Sequence, residues 1–89
     1  MVRKSLIIKG KVQGVGFRFF NKLSCNGLML TGFAKNLDNG DVLVEVQGNL
    51  SDIDKLINIL YKGNGFCKTS SIKITDIPLN HNEKNFNMY

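Results

Sequence analysis

Gly10-Lys11-Val12-Gln13-Gly14-Val15-Gly16-Phe17-Arg18 stands between two kinds of periodicity. Before it, Leu6, Ile8 and Val12 are set against Lys9 and Lys11, the spacing of a strand with one buried face. After it, Phe19, Phe20 and Leu23 read as the first turns of a helix. A glycine-rich turn at that junction turns successive backbone N–H groups outward at the positive end of the helix, which is a cradle for an anion. Arg18, one of two arginines in the chain, leaves the turn with a planar fork of donors suited to phosphate oxygens. The stretch therefore predicts strand, phosphate loop, helix.

Working outward, strand one is expected near 5–12 and helix one near 18–28. Strand two, near 30–36, leads through Leu37-Asp38-Asn39-Gly40 into strand three at 41–47. Asn39-Gly40 is a hairpin signal, because both residue types tolerate positive φ. Val42, Val44 and Val46 alternate with Leu43, Glu45 and Gln47, so one face of strand three is buried. Ser51 with Asp54 has the spacing of a capping box. The helix it opens buries Ile53, Leu56, Ile57 and Leu60 and ends by Gly63. Strand four is expected at 70–77, stopping before Pro78, and a short last strand at 85–89 closes the edge with Phe86 and Met88. The order β-α-β-β-α-β is that of the α+β, ferredoxin-like sandwich: an antiparallel sheet with two helices on one face. In a split βαβ unit strands one and two run the same way, which brings the glycine loop and Asn36 to one end of the sheet.

Eighty-nine residues allow one domain, 1–89, with a modest core. A hydrophobic content of 43% with 21% charged residues is that of an ordinary globular chain, and no apolar run approaches the roughly 18 residues of a membrane span. Met1-Val2-Arg3-Lys4-Ser5 is followed by three apolar residues only, so no signal peptide is expected and the cytoplasm is the expected compartment. Cys25 and Cys67 lie far apart without metal-ligand spacing; Cys25 reads as a small buried hydrophobe and Cys67 as a loop thiol. His81, between Asn80 and Asn82, reads as a solvated loop residue. The charge is uneven. Residues 1–37 hold seven bases and no acid, and the remainder holds five lysines against seven acids. A one-signed segment focuses field on anions, small phosphates or nucleic acid alike.

Val12-Gln13-Gly14-Val15-Gly16-Phe17-Arg18 resembles the first signature of the acylphosphatases. Gly32-Phe33-Ala34-Lys35-Asn36, continuing through Gly40-Asp41-Val42 to Gly48, resembles the second. Two separated signatures at the family's offset are far more specific than one glycine-rich turn, and the resemblance extends over the whole chain. One departure falls at Leu28-Met29-Leu30, where the family commonly has Leu-Gly-Leu. Either the helix ends sooner, at Gly27, or Met29 takes a position that suits glycine.

The resemblance implies an enzyme, an acylphosphatase, that hydrolyses the carboxyl–phosphate bond of small acyl phosphates. It implies that backbone N–H groups of Gln13, Gly14, Val15, Gly16, Phe17 and Arg18 bind the phosphoryl oxygens. Arg18 would supply full positive charge and Asn36 would orient the attacking water. Elementary chemistry agrees, because a carboxylate of pKa about 4 departs without a proton and needs no strong general acid. Lys11 and Lys35 read as solvated strand lysines. No cofactor is implied, no cluster of His, Cys and acids has metal-ligand spacing, and a monomer is expected. Other phosphate chemistries fit badly. There is no Gly-x-x-x-x-Gly-Lys-Ser/Thr loop, the third glycine of a dinucleotide fingerprint is Phe19, and neither cysteine has an arginine six residues on. Asp52-Ile53-Asp54 sits where a first helical turn favours acids. The alternative class is a non-catalytic ferredoxin-like module that binds single-stranded nucleic acid or a partner protein. An RNA binder would display aromatics on the central strands. Strand one has none, and strand three is Val-Leu-Val-Glu-Val. Both signature residues being intact argues against a catalytically silent module.

Overall fold

Val42, Val44 and Val46 are fully buried, and they decide which way the sheet faces. The computed structural model describes residues 1–89. Its elements are β1 (Val2–Lys11), α1 (Phe17–Gly27), β2 (Thr31–Asn36), β3 (Val42–Gly48), α2 (Leu50–Lys62), β4 (Lys68–Ile77) and β5 (Phe86–Met88). The sheet order is β4-β1-β3-β2-β5. Leu6 and Ile8 of β1 stand opposite Val44 and Val42, and Ala34 of β2 stands opposite Val44 from the other side. Phe17 and Cys25 of α1, with Ile53, Leu56 and Leu60 of α2, cover that face and complete the core. The α+β ferredoxin-like arrangement read from the sequence is thus the one observed.

The sheet is mixed, where an antiparallel one was expected. β1, β2, β3 and β4 pair antiparallel, but β5 runs parallel to β2, Gly32 opposite Phe86 and Ala34 opposite Met88. β4 ends at Ile77, opposite Arg3, at the end of the sheet where β2 begins, so a last strand that crosses to the far edge and starts from that end runs the same way as β2. The crossing is held by a buried polar cluster. Arg3, 5% exposed, donates to Glu83 at 2.8 Å and to Glu45 at 3.1 Å, while Gln47 exchanges bonds with both main-chain groups of Asn80. Bonding first to Glu83 and then to Glu45 pushes the pKa of Arg3 up, so its charge is fixed.

Three local expectations change. The capping box of Ser51 and Asp54 does not form: α2 begins earlier, at Leu50, with Asn49 as its boundary residue and no side-chain cap. In the β2–β3 turn only Gly40 takes positive φ (95°), and Asn39 instead uses its side chain, Oδ1 accepting from the Asp41 N–H at 3.0 Å. After α1 both alternatives hold together. The helix ends at Gly27, and Met29, 89% exposed, takes φ 56°.

Candidate active site

β1 and β2 both run antiparallel to β3, so they finish at the same end of the sheet, with Ile8 and Asn36 flanking Val42. From there residues 12–16 loop over to α1. Gly14 and Gly16 both have φ 72°, a conformation that costs an L-residue about 1–2 kcal/mol. The N–H groups of Gln13, Gly14, Val15 and Gly16 donate to no group of the protein. Gly16 is also the N-cap of α1, which has no side-chain cap and no acid in its first turn. The positive end of the helix is left uncompensated, and Phe17, buried at 2%, anchors it.

Gly14, Gly16, Arg18 and Asn36 line one cavity of about 110 Å³. That is far below the roughly 300–1,000 Å³ of pockets for drug-sized ligands, so it suits a small anionic head group. Val12 and Phe17 add apolar wall, and Phe19 (54% exposed) and Met88 (41% exposed) add an apolar rim. Arg18 is half-buried, and its Nη1 donates to the main-chain carbonyl of Tyr89. Asn36 closes β2 with its Oδ1 buried and without a hydrogen-bond partner.

Gln13 and Val15 belong to the loop but not to the cavity lining. The Gln13 amide donates to the carbonyls of Leu37 (2.8 Å) and Asp41 (2.9 Å), the two ends of the β2–β3 turn. It ties the first glycine-rich segment to the residue after Asn36. The Val15 side chain packs on the core.

The folded charge distribution is narrower than the sequence suggests. Of the seven bases in residues 1–37, Arg3, Lys4 and Lys9 pair with Glu45 and Glu83, Asp76, and Asp41. Lys11, Arg18, Lys22 and Lys35 pair with no acid. Lys11 and Arg18 flank the loop, Lys22 is one turn beyond Arg18, and Lys35 precedes Asn36. The unneutralised charge gathers at this end of the sheet. No group of three or more His, Cys, Asp or Glu side chains is placed to hold a metal ion.

The acylphosphatase family model matches residues 4–88. The chain belongs to the acylphosphatase family. An acylphosphatase of Clostridium perfringens is 48% identical over 89 residues, covering all of both chains. One of Clostridium beijerinckii is 46% identical, covering 99% of this chain and 98% of the relative. The crystal structure of the acylphosphatase from Bacillus subtilis superposes with a TM-score of 0.94 at 28% identity, covering 100% and 99% of the two chains. The hydrolase class and the fold expected from the two signatures agree with these relatives. No helix is long and apolar enough to cross a membrane.

Sequence reasoning missed Phe19 and Met88 at the rim and the Tyr89 carbonyl on Arg18. Phe19 follows Arg18 directly, and its spacing marks it only as a helix residue. Met88 and Tyr89 reach the site through the parallel pairing of β5, for which the sequence carries no spacing signal.

Proposed function

We propose that the cavity binds the phosphoryl end of a small acyl phosphate and that the chain hydrolyses its carboxyl–phosphate bond, giving a carboxylate and inorganic phosphate. One observation carries this: Gly14 and Gly16, whose N–H groups have no partner in the protein, line one small cavity together with Arg18 and Asn36. In the proposed mechanism the N–H groups from Gln13 to Arg18 bond the phosphoryl oxygens, and the Arg18 fork adds charge that strengthens as the phosphorus–oxygen bond breaks. Arg18 exchanges the main-chain oxygen of Tyr89 for the phosphoryl oxygens. The Asn36 amide orients water on the far side from the leaving carboxylate, which needs no proton. Phe19 and Met88 receive the acyl body. All these groups come from one chain, in keeping with action as a monomer and as a single domain over 1–89.

The test is steady-state hydrolysis of a small aromatic acyl phosphate by purified protein. Folded Arg18→Ala should lose at least about a hundredfold in kcat/KM and weaken inhibition by phosphate, and Arg18→Lys, which keeps charge but not the fork, should recover little. Near-wild-type turnover in folded Arg18→Ala refutes the mechanism.

A further inference from the structure

We propose that Asn64 is a positioning residue for the phosphate loop: it fixes the Val15–Gly16 peptide so that the Gly16 N–H faces the cavity. The proposal rests on the phosphate-binding role given above. Asn64 lies in the α2–β4 connection, between Gly63 (φ 76°) and Gly65 (φ 91°), and does not line the cavity. Its Nδ2 donates to the Val15 carbonyl at 2.9 Å. Its Oδ1 accepts from the N–H groups of Phe66 and Cys67, each at 2.9 Å. Three bonds hold this one side chain, so its donor is set in place rather than searching for a partner.

The Val15 carbonyl accepts no main-chain bond, and Asn64 is its partner. In a planar trans peptide the carbonyl and the following N–H point opposite ways. Tying the Val15 oxygen to Asn64 behind the loop therefore directs the Gly16 N–H to the opposite side. Gly16 lines the cavity, and that side is where the anion would lie. The peptide needs such a tether. Glycines on both sides of Val15 adopt positive and negative φ with similar ease, so the peptide plane is free to turn over. The nearest atom to a Cβ built on Gly16 is the Asn64 Nδ2 itself, at 4.0 Å, so packing does not hold the plane. Without the tether, anion binding must first select one orientation, and affinity falls by the fraction of loops in the correct one.

Two variants separate this role from the turn that Asn64 also caps. Asn64→Ser keeps an oxygen for the Phe66 and Cys67 N–H groups but is too short to reach Val15. Asn64→Asp keeps the same acceptor and sets a second oxygen against the Val15 oxygen. Inorganic phosphate is the probe, by direct binding and by inhibition. Both variants should keep thermal midpoints within a few degrees of wild type in phosphate-free buffer. Both should raise the phosphate constant about three- to tenfold, the worth of one neutral hydrogen bond. KM for an acyl phosphate should rise in step while kcat moves less than about twofold. Asn64→Asp should exceed Asn64→Ser by an increment that added salt removes, since that part is charge repulsion. A folded Asn64→Ser with the wild-type phosphate constant overturns the proposal, as does a lowered midpoint with unchanged phosphate binding. If wild-type protein binds phosphate without hydrolysing acyl phosphates, the proposed function fails while the phosphate constants still judge Asn64. If it binds no phosphate, both fail.

Discussion

Replacing Asn36 by alanine should make the protein more stable and nearly inactive. Its Oδ1 is buried and bonds to nothing, and a buried polar group left unsatisfied costs about 1–3 kcal/mol. Turning the amide over merely exchanges an unpaired oxygen for an unpaired NH2 group. Alanine removes that cost and keeps the Cβ, at the expense of packing by three side-chain atoms and a few tenths of a kcal/mol in strand propensity. The balance is a gain of about 1 kcal/mol, worth roughly 4–8 °C in a domain of this size. Equilibrium urea unfolding in phosphate-free buffer should show a raised midpoint with an unchanged slope. Turnover should fall about a hundredfold, as expected when the attacking water loses its orientation. Phosphate inhibition should stay within about twofold, because loop and Arg18 remain. Asn21 is the control. Its Oδ1 is also buried and unpaired, but its Nδ2 donates to the Phe17 carbonyl at 2.9 Å and it does not line the cavity, so Asn21→Val, which loses that bond, should gain less stability than Asn36→Ala and cost little in turnover. A less stable Asn36→Ala protein refutes the idea that this amide is kept at a cost to the fold. A phosphate constant worsened as much as in Arg18→Ala refutes its role with water.

Three further outcomes are expected. Gly32→Ala should destabilise by about 3 kcal/mol or more in urea unfolding, since φ is 145° and the new Cβ would lie 1.8 Å from the Glu45 carbonyl oxygen. Hydrolysis should survive exhaustive chelation, because loop and Arg18 already supply positive charge; a rate lost to chelator and restored by one divalent ion is the contrary result. Burial pushes the Cys25 thiol from 9.0 up to about 12. Above pH 9 the unfolded chain has lost a proton that the folded chain keeps, so this contribution is whole below pH 9 and drains away as pH climbs towards 12. The protein should be about 1.4 kcal/mol less stable at pH 10 than at pH 8 from this group, an increment absent in Cys25→Ala.

Where neighbours in sequence decide the structure, the sequence was readable. Val42, Val44 and Val46 announce β3 because a half-buried strand repeats every two residues, and the glycine loop announces itself through the φ its turns require. β1 begins at Val2 rather than at residue 5 because Arg3 is an interior residue here, a role it takes only through Glu45 and Glu83. The capping box failed because Asn49, two residues before Ser51, is also a residue type that ends extended chain, and the helix began there. That Arg18 and Asn36 line one cavity was legible, because each sits in a local signature and β1 and β2 run the same way. Met88 and Tyr89 were not, nor was the bond from Asn64 to Val15, since each arrives by packing with partners tens of residues away.

A sheet of order β4-β1-β3-β2-β5 leaves two open edges, and both are poor templates for a second copy of the chain. β5 is only three residues long, too short to seed a stacked array. β4 offers ten residues, with Ile72, Ile74 and Ile77 among them. Lys68 and Lys73 interrupt that run, and Pro78 ends it. Charges on an edge strand must be desolvated, like beside like, before another strand can add, which is how such edges resist fibril growth. Lys73 in mid-strand, and Lys68 opposite Lys11 at the loop end of the sheet, thereby guard this edge against a further strand, and acetylating them would turn a guarded edge into an adhesive one.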